Sequence, residues 1–227
     1  MELISKNTGN WEIYRMIDKE TSEAYIIRFP KLNLGGTKIH SYINNFETIN
    51  KIGISTLRIV EEFNYEGKKG IRTEDLNYRK EYIYVTYNSL YSDEQKMIDS
   101  LNPYIKTDEN KKSPEYEEFR YRNKLKDITN FEEFIKVVKN DLILATKKDI
   151  LIDFDSYFFG SKKSSDISTI DYKIVDLDNI CTNTGKTQKE LLNDNISEFK
   201  RAIKGFIKYF VILDNQHIYE QYLDKIF

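Results

Sequence analysis

Apolar and polar positions alternate over residues 11–17 and a second, largely apolar run covers 24–29, with the turn-forming Asp18-Lys19-Glu20-Thr21 between them and Pro30 after the second run. A period of two in β-branched and aromatic residues predicts an antiparallel hairpin. Between 38 and 52 the pattern changes. Ile39, Tyr42, Ile43, Phe46, Ile49 and Ile52 recur at three- and four-residue steps, which predicts a helix with one buried face, stopped by Gly53. Strand character returns over 56–63 and 71–76 around a turn at 66–70, a second hairpin, and residues 82–87 read as a further strand or an extended linker. The charged stretch 107–117, with Pro114, reads as a solvated loop.

Helical spacing resumes at Phe131, Phe134, Ile135, Val138, Leu142 and Ala145, with Asn130 placed to cap the helix. That helix runs directly into Ile150-Leu151-Ile152-Asp153-Phe154-Asp155. A second apolar run, Tyr172-Lys173-Ile174-Val175, ends in Asp176-Leu177-Asp178 a little over twenty positions on. After a polar loop at 182–186, helices over 187–227 carry a stripe of Leu191, Leu192, Ile196, Phe199, Ile203, Phe206, Ile207 and Phe210. The order predicts an α+β chain in two lobes. Residues 1–77 form an antiparallel sheet with one helix, and residues 78–227 form a mostly helical lobe that carries the acidic strand pair over 150–178. No internal repeat or low-complexity segment interrupts it.

Composition narrows the function classes. The 227 residues include 35 basic and 37 acidic side chains, a formal net charge of −2, so no global field favours nucleic acid or an anionic membrane. Short runs such as Lys111-Lys112, Lys147-Lys148 and Lys162-Lys163 read as solvated surface. A single cysteine, Cys181, excludes an internal disulfide and a cysteine-rich zinc cage, and reads as an inert buried thiol. His40 and His217 lie far apart in sequence and do not form a histidine pair at metal-ligand spacing. No window approaches the roughly 18 apolar residues of a membrane span, and no secretory signal opens the chain, so a cytoplasmic protein is expected.

The two acidic strand ends are where chemistry is expected. Carboxylates at the ends of adjacent strands are held at a fixed separation, while the loops admit water and substrate, which suits a divalent cation or a proton transfer. An Asp-x-Asp at the end of an apolar run costs desolvation unless something uses it.

This element order, with two acidic strands after a long helix, resembles the protein-kinase-like fold, including its small bacterial and phage members. Lys173-Ile174-Val175-Asp176-Leu177-Asp178-Asn179 looks like the family's strand and Asp-Phe-Gly segment. The resemblance implies an ATP- and Mg²⁺-dependent phosphotransferase with Asp176 and Asp178 at the metal and Asp153 orienting the acceptor hydroxyl. It implies Arg28, in the strand position of the phosphate-binding lysine, paired with Glu47 of the following helix, with Lys31 as the substitute if the register is shifted. Thr73-Glu74-Asp75-Leu76 resembles the hinge, so the backbone at Glu74 and Leu76 would meet adenine. The acceptor it implies is a protein or a small molecule.

Three departures from the family pattern stand together: Arg28 replaces the lysine, only Gly9 is present where a glycine-rich loop is expected, and Phe158 replaces the loop asparagine. They motivate an alternative, a pseudokinase-like binding or regulatory module. A minor alternative takes Asp153-Phe154-Asp155 as the paired aspartates of a metal-dependent phosphohydrolase.

Overall fold

In the computed structural model the chain divides into two units, Met1–Lys80 and Glu81–Phe227. The structure describes residues 1–5, 10–31, 35–58, 60–78, 80–86, 125–164 and 167–227. Gly9, Lys111-Lys112 and the loop expected at 107–117 lie outside the described residues.

The first unit is an antiparallel sheet with one helix. Strands β1 (Glu2–Ser5), β2 (Trp11–Ile17), β3 (Ala24–Pro30), β4 (Val60–Tyr65) and β5 (Lys68–Glu74) take the order β1-β2-β3-β5-β4. The predicted hairpin is β2–β3, with Trp11 opposite Pro30 and Ile17 opposite Ala24. Helix α1 (Gly35–Lys51) presents Ile39, Tyr42 and Ile49 to the core, and Gly53 follows it with φ of 82°. The second hairpin is tighter than the sequence suggested. Glu66 and Gly67 both take positive φ, the requirement of a two-residue turn matched to strand twist, so pairing continues to Tyr65 opposite Lys68. Gly70 is needed within β5, because a Cβ there would lie 2.5 Å from the Arg28 carbonyl oxygen.

The second unit contains β6 (Ile83–Thr86), β7 (Asp127–Ile128), α2 (Phe131–Lys147), β8 (Ile150–Ile152), β9 (Tyr157–Ser164), β10 (Ile167–Ile174), β11 (Ile180–Thr182), α3 (Gln188–Phe210) and α4 (Leu213–Ile226). Residues 82–87 therefore contain a strand, and it pairs with β9. The acidic strands are not neighbours in one sheet, as the sequence suggested. β10 pairs with β9 in a four-stranded sheet of order β6-β9-β10-β7, whereas β8 pairs with β11. The run 157–164 carries the difference: it leaves the first acidic turn as a long strand and claims β10 as its hairpin partner. β11 also leaves Cys181 exposed, contrary to the buried thiol expected.

Packing explains why these elements hold. Phe131, Phe134, Tyr157, Phe159, Tyr172, Phe199 and Phe206 are each 7% exposed or less, and rings from α2, β9, β10 and α3 meet at centroid distances of 5.2–6.5 Å, the range of offset and edge-on pairs. Asn130 makes no capping bond to α2. Its side chain instead donates to the Ile170 carbonyl and accepts from the Ile170 amide, at 2.8 and 2.9 Å, tying the helix start to the middle of β10. Helix α3 opens with a reciprocal capping box between Thr187 and Glu190. No helix among the described residues is long and apolar enough to cross a membrane.

Candidate functional site

The two acidic segments meet through their main chains. After β8, Asp153 turns the chain into a short 3-10 segment, Phe154–Ser156, and its side chain caps that segment by accepting from the Asp155 amide at 3.0 Å. After β10, Asp176 leads into a second short 3-10 segment, Leu177–Asn179, with no side-chain capping bond. The fully buried Ser156 joins the two: its hydroxyl donates to the Asp176 carbonyl at 2.9 Å, and its own carbonyl accepts from the Val175 amide at 2.9 Å. The Asp153 amide donates across to the Asn179 carbonyl at 3.3 Å. Strands in different sheets thus deliver their carboxylates to one place.

Helix α3 fixes this place from behind. The buried Asn195 accepts from the Ile152 amide at 2.9 Å and donates to the Ile150 carbonyl at 2.9 Å and to Thr146 Oγ1 at 3.2 Å, holding β8 against both long helices. One turn on, Glu198 accepts from the Phe154 amide at 3.3 Å. Three residues further, the Arg201 guanidinium carbon lies 3.6 Å from the centre of the Phe154 ring.

Electrostatics single out Asp155, to which the sequence reading gave a role only in the phosphohydrolase alternative. Burial, then the negative charges of Asp153 and Asp176, push its carboxyl up to about 7; Arg201 opposes the rise and Glu198 adds to it. Its Oδ1 is buried and has no hydrogen-bond partner among the described residues. Deeper in, burial pushes the Tyr157 hydroxyl well above its ordinary range, with Glu198, Asp141 and Asp153 contributing. Tyr172 donates to Asp141, whose carboxyl is itself raised by burial.

The Asp155 shift has a measurable consequence. Between its ordinary value of 3.8 and about 7, the folded protein holds a proton at Asp155 that the unfolded chain has released. Stability therefore falls as pH rises through that window and levels off above it. Asp155→Asn is expected to flatten the decline measured by denaturant unfolding from pH 5 to 8, and to raise the midpoint at pH 8 above that of the wild type. An unchanged slope would contradict the assignment.

The remaining candidate residues divide by unit. Asp153, Asp176 and Asp178 are all partly accessible on the two turns. Phe158 pairs opposite Lys173 within the β9–β10 hairpin, so the position of the family's asparagine is built into a strand. In the first unit, Arg28 donates to Thr73 Oγ1 at 2.8 Å and its guanidinium carbon lies 5.6 Å from the Tyr42 ring centre, whereas Glu47 is exposed on α1. The expected Arg28–Glu47 pair is not formed, because the guanidinium points along the sheet toward β5. Lys31 follows β3, with its amide bonded to the Asn10 carbonyl. Glu74 is committed to Arg58, accepting from its amide and its Nε at 2.6 and 2.7 Å. Leu76 lies in the bend beyond, which Asp75 braces by accepting from the Asn77 and Tyr78 amides. A recess of about 150 Å³ beside Arg58, Glu74 and Tyr78 is too small for a nucleotide.

Among the described residues no group of three or more His, Cys, Asp or Glu side chains is placed to hold a metal unaided. The donor set at the two turns is nevertheless all hard carboxylate oxygen. Mg²⁺ is commonly held by one or two carboxylates with water and phosphate completing its shell, and that donor set suits it. Glu198 and Arg201 were missed in the sequence because their roles depend on α3, over forty positions from the first acidic turn.

No protein-family model matches this chain, and no curated protein matches it in sequence. Among solved structures, the chain is similar to a Helicobacter pylori proinflammatory kinase, CtkA, with a TM-score of 0.44 and 17% sequence identity. The match covers 86% of this chain and 65% of that one, so the chain spans a little under two thirds of that kinase's length.

Proposed function

We propose that this chain is a divergent kinase-like phosphotransferase that moves the terminal phosphate of ATP to a hydroxyl acceptor, a protein or a small molecule. The observation that carries the reading is the stitching of the Asp153 and Asp176 turns through Ser156, which brings two separately delivered acidic segments within each other's field. Asp153 orients the acceptor hydroxyl, and Asp176 with Asp178 holds the cation. When bound, Mg²⁺ would neutralise charge on the β- and γ-phosphates. In the first unit, the backbone at Glu74 and Leu76 meets the base, and Arg28 takes the phosphate-binding role that the family resemblance implies, without Glu47 as its partner.

A second reading, a pseudokinase-like binding module, is favoured by a specific observation. Arg28 is engaged with Thr73 and Tyr42, and the asparagine position is a strand phenylalanine. Thermal unfolding of the full chain with ATP and Mg²⁺, together with transfer of labelled γ-phosphate to the chain itself or to a generic protein acceptor, separates the two. Nucleotide at about 100 times its Kd should stabilise the protein by roughly 2.7 kcal/mol. A Mg²⁺-dependent shift with transfer supports the phosphotransferase. A shift without transfer supports the binding module, and no shift rejects nucleotide binding altogether.

A further inference from the structure

Asp176 is the central residue of a tight turn at the end of β10. Its φ of −84° and ψ of 86°, with the Leu177 amide donating to the Val175 carbonyl at 3.1 Å, are close to those of an inverse γ-turn, a common way to end a strand. A three-residue turn closes on one hydrogen bond, so the direction in which the Asp176 side chain leaves the backbone depends on what grips the neighbouring peptide groups. Ser156 grips two of them. Its carbonyl accepts from the Val175 amide, ahead of Asp176, and its hydroxyl donates to the carbonyl of Asp176 itself, each at 2.9 Å. The peptide plane after Asp176 is thereby held at both edges, by the Val175 carbonyl on its N–H and by Ser156 on its oxygen.

Resting on the phosphotransferase reading, we infer that Ser156 is a positioning residue for the transfer, its hydroxyl setting the Asp176 carboxylate, and the cation it holds, at the separation from Asp153 that the reaction needs. Ser156 is anchored on the acceptor side. It closes the 3-10 segment that Asp153 opens, and its amide donates to the Asp153 carbonyl at 3.0 Å. The same residue therefore belongs to the Asp153 turn by its main chain and reaches the Asp176 turn with its side chain. At 0% exposed it lies out of reach of nucleotide and acceptor, so its hydroxyl acts only through Asp176. Carboxylates that hold a cation are oriented by the groups bonded around them, and losing one such group costs about 10–100-fold in metal affinity or rate. A displacement of about 1 Å at the reacting atoms costs a factor of the same order.

Ser156→Ala keeps both main-chain bonds and removes the hydroxyl alone, whereas Ser156→Cys keeps the volume with a weaker donor. A bond that only satisfied a buried carbonyl would cost Ser156→Ala stability and leave the chemistry of the folded protein unchanged. The positioning role has a different signature, read in the full chain well below its Tm, with a generic protein as acceptor. In Ser156→Ala, kcat should fall about thirtyfold while KM for ATP at saturating Mg²⁺ changes by less than about threefold. The Mg²⁺ concentration that half-completes the ATP-dependent thermal shift, a readout that needs no turnover, should rise about tenfold. Ser156→Cys should lie between Ser156→Ala and the wild type on both measures, and it carries the test if Ser156→Ala does not fold. A Mg²⁺ midpoint within about twofold of the wild type, or nucleotide affinity falling in step with kcat, overturns the inference and leaves the phosphotransferase reading in place. A wild type without transfer rejects that reading, and the role of Ser156 with it.

Discussion

Asp176→Ala is expected to reduce phosphate transfer about a thousandfold or more and to abolish the Mg²⁺-dependent thermal shift, with the protein still folded. A cation held against transferring phosphate supplies several kcal/mol of charge stabilisation, and each 1.36 kcal/mol is a factor of ten in rate. The fold should survive because the main chain of this turn carries the structural bonds. The Asp176 carbonyl, retained in alanine, accepts from Ser156, and the Val175 amide donates back to Ser156. Removing the carboxylate also removes one of the charges that raise Asp155. The pH window of declining stability should therefore narrow from its upper end, a signature that mere loss of metal affinity would not produce. Transfer at the wild-type rate would sink the phosphotransferase reading.

The sequence was informative wherever one face of an element met one core. The β2–β3 hairpin and helices α2 and α3 follow directly from periods of two and three to four, because each buries a single stripe. Strand β9 escaped notice for the converse reason. Tyr157, Phe159 and Gly160 are buried and Phe158 is partly so, and a strand covered on both faces loses its alternation. That omission led to the wrong partner for β10. The aspartates were legible as chemistry at strand ends, but Asp155 acquires its properties from burial and from Asp176 and Glu198, which local spacing does not reveal. The available signal lay within α3, where Asn195 and Glu198 sit beside the apolar positions Leu191, Phe199 and Ala202. A polar side chain on a buried stripe needs a partner, and here the partners are the two ends of the first acidic turn.

Asn195→Ala should be the most damaging single change to stability outside the aromatic core. Asn195 is fully buried and satisfies three groups: the Ile152 amide, the Ile150 carbonyl and Thr146 Oγ1. Alanine removes those bonds and leaves an amide and a carbonyl of β8 where water does not reach. A buried polar group left unmade costs about 1–3 kcal/mol, so the combined loss is expected to be about 4 kcal/mol. For a chain of this size that is a fall of roughly 10 °C in Tm. Asn195→Asp separates the contributions, since it keeps the acceptor for Ile152 but loses both donations and buries a charge, and it should be no better tolerated. The same bonds hold β8 at the entrance to Asp153, so the Asn195→Ala protein that remains folded should lose transfer rate more than nucleotide affinity. A Tm within about 2 °C of wild type would mean that β11 and the helices alone hold β8 in place, and the positioning of Asp153 would then rest on the Glu198 bond to Phe154.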